Sequence, residues 1–157
     1  MKHTNIIQGV RTTMSTTEPL CRLIGIDPKT LSKEESMLLE AELFYNICEE
    51  LTDHFKKQHK DYFRLMKLTK EMENVMLEEN FIRLVMKDIL STNEYTLDGI
   101  ANYTDTHEDV VREVILGRNS NPSAMLLRKT IELHRLVRSE LYGEFMKKIA
   151  EKYLTAA

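Results

Sequence analysis

Apolar residues recur at alternating steps of four and three along residues 33–57, which is the spacing of one face of an α-helix. Ser32 and Glu35 stand just before this stripe at the spacing of a capping box, a helix-start signal. The sequence therefore predicts a long helix from residue 33 to about residue 57. Its apolar stripe consists of Met37, Ala41, Phe44, Cys48, Leu51 and Phe55.

Further stripes follow after a charged break at residues 56–61. Helices are expected at residues 81–90 and 139–154, and a helix over 123–138 is expected with Pro122 at its first position. Since no alternating strand pattern competes with these stripes, an all-α fold is predicted. A second helix after the break is predicted from Tyr62, Leu65, Leu68, Met72 and Val75. The alternative is one nearly continuous long helix, since no Gly or Pro lies between Pro28 and Gly99.

Composition agrees with this prediction and gives no general attraction to polyanions. Of the 157 residues, 42% are hydrophobic, and five Gly and three Pro are too few to interrupt long helices. The net charge is −3, with eleven basic and fourteen acidic residues over 1–79 and eleven of each over 80–157. Bulk charge therefore does not indicate nucleic-acid binding in either half.

The sequence offers little catalytic or metal-binding chemistry. Cys21 and Cys48 form no CxxC pattern, and His54 and His59 are five residues apart, so they do not share a helix face. We expect reduced cysteines, no metal, no cofactor and no enzymatic activity. The absence of a signal-peptide pattern or a long apolar run predicts a cytoplasmic protein without a membrane association.

Residues 96–117 contain several Gly, Asn, Asp and Thr residues between short apolar groups. Thr96 can cap a helix that ends near residue 103, and Asp105 stands where the chain must turn in a left-handed conformation. Thr106 can cap a second helix, which Gly117 ends. Two short helices joined by a tight turn are therefore predicted.

The stretch "GIANYTDTHEDVVREVILG" resembles the helix-turn-helix of the phage-repressor and Cro family over about residues 80–138. Asp105 replaces the usual turn glycine, and Glu108 and Asp109 stand where the family faces base edges. The residues that match family roles are Ile100-Ala101, Thr106, Val111, Val114, Gly117 and Pro122-Ser123.

This resemblance implies a transcriptional regulator that binds a specific sequence of double-stranded DNA. Acidic residues facing the DNA can accept from cytosine but repel phosphates. Arg112 either contacts DNA or forms an ion pair with Glu108 and Asp109 within its helix. The implied DNA-binding residues are Thr106, His107, Glu108, Asp109, Arg112, Arg118, Asn119 and Asn121.

The domain organisation predicted from the sequence has three parts. Residues 1–30 form a partly mobile arm, residues 31–79 a helical hairpin, and residues 80–157 the helix-turn-helix module with a C-terminal helix. Residues 33–77, with the stripe from Met37 to Phe55, are predicted to contribute much of the interface of a homodimer, which would match two DNA half-sites. Packing of the same residues within one chain is the alternative. The alternative is a non-enzymatic helical adaptor that uses its acidic second helix to contact a protein partner.

Overall fold

A computed structural model describes residues 17–155, and these form an all-α protein, as predicted. No helix within this range is long and apolar enough to cross a membrane. A short 3-10 helix, Pro28–Thr30, precedes the longest helix. The nine α-helices of the described range are α1 (Glu18–Ile24), α2 (Lys33–Gln58), α3 (Lys60–Leu65), α4 (Lys70–Glu79), α5 (Phe81–Ser91), α6 (Leu97–Tyr103), α7 (Glu108–Ile115), α8 (Ala124–Val137) and α9 (Ser139–Thr155).

The chain divides into two compact units. The first contains the described residues 17–50 and 142–155, and the second contains Leu51–Leu141. The three-part division predicted from the sequence stays a prediction, and residues 1–16 of the predicted arm lie outside the described range.

The first unit is held together by apolar faces and a few polar contacts. Tyr153 donates a hydrogen bond to Glu42 at 3.1 Å, and Lys148 lies 3.7 Å from the buried carboxylate of Glu50. The start of α2 is fixed by the predicted capping box, in which Ser32 and Glu35 bond each other's backbone amides. The buried side chains of this unit include Leu20, Cys21, Leu43, Ile47, Tyr142, Phe145, Met146 and Ile149.

The second unit contains the segment that resembles a helix-turn-helix. Helix α5 packs on α7 and α8, and α6 packs on α7 and α8. The four helices therefore share one core, to which each contributes an apolar face at helical spacing. Its buried apolar residues are Ile82, Val85, Met86, Ile89, Ile100, Ala101, Val111, Val114, Leu126, Ile131 and Leu133.

The prediction of a single helix from Tyr62 to Val75 is wrong. Helix α3 ends at Leu65, Lys67 takes a left-handed conformation with φ 53°, and α4 begins at Lys70. Thr69 explains the new start, because its hydroxyl accepts a hydrogen bond from the amide of Met72 at 3.2 Å. Propensity and apolar spacing could not show that this cap interrupts the pattern.

The α2 stripe predicted as a dimer interface is divided by the fold. Leu51 and Phe55 are buried in the chain's own core, and Phe55 makes an edge-on contact with Phe81. Phe44 and Cys48 are half-buried, and only Met37 and Ala41 are exposed. The stripe therefore offers less free apolar surface than its regular spacing suggests.

Candidate nucleic-acid interface

The turn between α6 and α7 is formed by local hydrogen bonds. Thr96 caps α6, as predicted, by accepting from the amide of Gly99, and Asp105 has the predicted left-handed backbone with φ 52°. Thr106 was expected to cap α7, and this expectation is wrong. His107 is the cap, because its Nδ1 accepts from the amide of Asp109 at 3.1 Å, whereas the Thr106 hydroxyl donates to the carbonyl of Thr104.

The end of α7 is fixed from outside by α5. The Nε of Arg83 donates to the carbonyl of Ile115 at 2.9 Å, so a cation satisfies the negative end of the helix. Gly117 follows with φ 78°, and a Cβ there would lie 3.1 Å from Arg83 Nη1. Glycine is therefore required by both the backbone conformation and the close approach of Arg83.

Arg112 forms two ion pairs within α7, on the exposed side of this helix. Arg112 lies 2.7 Å from the carboxylate of Glu108 and 2.8 Å from that of Asp109. The intrahelical alternative is therefore the arrangement seen. Exposed ion pairs contribute about 0.2–1 kcal/mol, whereas an arginine bidentate to guanine discriminates by about 1–3 kcal/mol. Exchanging the Asp109 pair for a base contact is thus energetically accessible to Arg112.

A second carboxylate lies close to Glu108. A hydrogen bond between the Glu108 and Asp98 side chains, and the repulsion between their charges, raise the pKa of Glu108 above its ordinary value. Arg112 opposes this shift but does not cancel it. The N-terminal end of α7 is therefore an acidic surface, which repels phosphate groups.

The loop after α7 has a different character. Arg118 is 70% exposed and only loosely paired, 3.9 Å from the Glu113 carboxylate. Asn119 is half-buried and accepts from the amide of Asn121, whose side chain is exposed. This loop therefore presents a cation and amide groups, the side chains that contact phosphates in protein–DNA complexes.

The start of α8 differs by two residues from the expectation. Pro122 is not the first helical residue, because Ser123 caps a helix that begins at Ala124 and accepts from the amide of Leu126 at 3.1 Å. Ser123 stands before the helix because its hydroxyl satisfies an otherwise unpaired amide of the first turn.

A buried polar cluster in the second unit was missed by the sequence reasoning. The Nε2 of His134, a fully buried side chain, lies 2.6 Å from a carboxylate oxygen of Asp88, and the Nε of Arg138 lies 3.1 Å from the same oxygen. The signal was present, since His134 follows Leu126 and Thr130 at steps of four on the buried face of α8.

Titration of this cluster should make the second unit less stable in acid. The hydrogen bond from His134, and then the charges of His134, Arg138 and His54, keep the pKa of Asp88 below its ordinary 3.8 against desolvation. Desolvation lowers the pKa of His54 below 6.5, assisted by the charges of Arg138, His134 and Lys57 and opposed by Asp88.

Because both folded pKa values are lowered, the folded state binds fewer protons than the unfolded chain. The contribution of His54 is fully present above pH 6.5 and is lost as the pH falls through its lowered pKa, and that of Asp88 is lost below pH 3.8. Urea denaturation at a series of pH values should show the first loss in wild type and not in His54→Gln. His59→Gln is the matched control and should lose stability as wild type does. A loss of the same size in wild type and in His54→Gln would contradict this assignment.

The Cys48 thiol is not activated as a nucleophile. Burial raises the pKa of the Cys48 thiol to about 11, so it is a poor nucleophile at neutral pH. No group of three or more His, Cys, Asp and Glu side chains placed to hold a metal ion occurs within residues 17–155.

The chain matches no protein-family model, no curated protein and no solved structure. Its similarity to the phage-repressor and Cro family therefore rests on the residues of the 80–138 segment themselves.

Proposed function

We propose that this protein is a non-enzymatic, cytoplasmic transcriptional regulator that binds specific double-stranded DNA through α7 and the loop that follows it. The observation that supports the proposal best is the pair of short helices α6 and α7, joined through the left-handed Asp105 and packed on both α5 and α8. Such a pair presents the second helix as a surface ridge that fits a major groove.

The charges on this ridge determine what kind of DNA binding is expected. Arg118 and its loop supply phosphate contacts, while Glu108, Asp109 and Asp98 reduce the attraction to any duplex. Nonspecific affinity is therefore weak, and recognition depends on Arg112 exchanging its carboxylate partners for a base edge. A carboxylate at this position also accepts from cytosine N4, which adds specificity rather than affinity.

A titration with random duplex DNA at about 50 mM and 200 mM salt tests the proposal. Arg118→Ala should weaken binding to all sequences and reduce the slope of log K against log salt by about one unit. Glu108→Gln should bind as tightly as wild type or more tightly, because one repulsive charge is removed. Arg22→Ala, an equally exposed arginine of the first unit, and Glu144→Gln are the matched controls and should leave the titration unchanged.

A second candidate function is contact with a protein partner through the same face. Its support is specific: Arg112 is occupied by two carboxylates, and Val110 and Leu116 on α7 are 39% and 50% exposed. A partner with basic side chains around an apolar contact would fit this surface.

The two candidates give opposite results. If wild type shows no salt-dependent DNA binding, but binds a synthetic amphipathic peptide of lysine and leucine that Glu108→Gln and Asp98→Asn no longer bind, the protein-contact function is correct. If Glu108→Gln leaves the peptide titration unchanged, this second function is rejected.

Dimerisation belongs to the proposed function, because two copies on one duplex match two half-sites. Of the α2 stripe predicted as the interface, the fold leaves only Met37 and Ala41 exposed.

A further inference from the structure

The apolar side chains of α3 and α4 are unusually exposed for a segment of this length. Five of the fifteen exposed large hydrophobic residues of the described chain fall within fourteen consecutive positions, and the other ten are spread over the rest. Single exposed apolar residues are ordinary, whereas concentrated ones mark an interaction surface. The five are Tyr62, Leu65, Met66, Met72 and Val75, with exposed fractions from 50% to 81%.

These residues form one face on each helix. Tyr62 and Leu65 on α3 and Met66 directly after it follow the i, i+3, i+4 spacing of a single helix face, and Met72 and Val75 are three apart on α4. Phe63 and Leu77 are the buried residues of the two helices, so each helix already has a core-facing side. The exposed faces are therefore additional apolar surfaces that the fold of the second unit leaves uncovered.

In this segment the positive side chains come first along the chain and the negative side chains follow. Residues 60–70, which we call the basic half, carry four cations and one carboxylate, a net charge of +3. Residues 71–79, the acidic half, carry four carboxylates and no cation, a net charge of −4. No charged side chain of either half forms an ion pair with another residue of the described chain.

Two consecutive helices that each expose an apolar face and that carry opposite charges can form a surface that is complementary to itself. In a two-fold dimer the same patch of each copy forms one side of the interface, and the two patches run in opposite directions. Each part of the patch on one copy therefore faces a different part of the patch on the other copy. The basic half of one protomer would then lie on the acidic half of its partner, and the reverse, with the apolar faces between them. A uniformly charged patch would be repelled by its own copy.

We propose that the α3–α4 surface is the interface of a two-fold homodimer, in which residues 60–70 of each copy contact residues 71–79 of the other. The proposal assigns the dimer to a surface other than the α2 stripe. It does not depend on DNA binding, because assembly and DNA affinity are measured separately.

Charge exchange between protomers is the sharpest test. One variant carries Lys60→Glu, Arg64→Glu and Lys67→Glu, which makes both halves acidic, and the other carries Glu71→Lys, Glu78→Lys and Glu79→Lys, which makes both halves basic. Wild type should sediment as a dimer at tens of micromolar, on the order of the range for weak association, whereas each variant alone should sediment as a monomer. Their equimolar mixture should restore the dimer, because one contact between the unlike copies keeps its original charges, the other has both charges reversed, and both are attractive.

The apolar part of the interface has its own test. Leu65→Ser should weaken dimerisation about tenfold or more, because truncating a central apolar side chain removes a large part of an interface's binding free energy. Met37→Ser is the matched control, since Met37 is similarly exposed but lies on the α2 stripe. Circular dichroism melting should show that every variant is folded.

Three results would overturn the proposal: a wild-type monomer at these concentrations, a dimer that Met37→Ser disrupts and Leu65→Ser does not, or charge variants whose mixture stays monomeric. If the dimer behaves as expected but random and specific duplexes do not bind, the interface stands and the DNA-binding function fails.

Discussion

Replacing Asp88 with alanine is expected to lower the free energy of unfolding by about 3–5 kcal/mol, which is the loss when one partner of a buried ion pair is removed. Asp88 is 8% exposed, and His134 is fully buried 2.6 Å from its carboxylate. Without that carboxylate, the ring nitrogen of His134 loses its hydrogen-bond partner and Arg138 loses its ion-pair partner. Urea denaturation followed by circular dichroism measures the loss.

Asp109→Ala is the matched control for this experiment. It also removes a carboxylate from an ion pair, but 73% of the Asp109 side chain is exposed, so water replaces the lost contact. Its effect should be within about 1 kcal/mol. An effect of Asp88→Ala as small as that of the control would show that the cluster does not hold α5 to α8. The double variant Asp88→Leu, His134→Leu should recover much of the loss, since a buried ion pair can be replaced by apolar packing.

Replacing Phe55 with alanine is expected to cost about 3–5 kcal/mol, the range for large-to-small substitutions of aromatic core residues. Phe55 is 1% exposed, and its ring lies 6.3 Å from that of Phe81 in an edge-on contact. The loss should be the same at low and high protein concentration, because the cavity forms within one chain.

Met37→Ala on the same helix stripe provides the comparison. Met37 is 64% exposed, so its truncation should change stability by no more than about 0.5 kcal/mol. If the cost of Phe55→Ala grew with protein concentration, Phe55 would belong to an interface between copies, as the regular stripe suggests. If both variants were neutral, α2 would not pack as the structure has it.

The segment from Thr96 to Ser123 shows which local features the sequence predicts correctly. Thr96, Asp105 and Gly117 behave as predicted, because each depends on its own side chain or its own backbone freedom. The cap of α7 and the first residue of α8 were misplaced, since either Thr106 or His107 could cap α7 and either Pro122 or Ala124 could begin α8. That competition is decided by where the packed helix begins, which sequence spacing alone leaves open.

The candidate site was predictable to a similar extent. The ion pairs of Arg112 follow from i+3 and i+4 spacing, so they were among the two alternatives drawn from the sequence. The proximity of Asp98 to Glu108 was not foreseen, because it depends on the way α6 and α7 meet. The contact of Arg83 with the end of α7, thirty-two residues away, also required the packed structure.

By itself, the sequence determined that this protein is all-α, where its longest helix, α2, begins and ends, and which short segments form α6, the turn and α7. These features follow from apolar period, caps and left-handed turn residues, which act over one or two helical turns. The tertiary structure alone decided that Leu51 and Phe55 are core residues, that Tyr62, Leu65 and Met72 are exposed, and that Asp88 meets His134. Periodicity shows that a helix has an apolar face, but only the position of the other helices determines whether that face is covered.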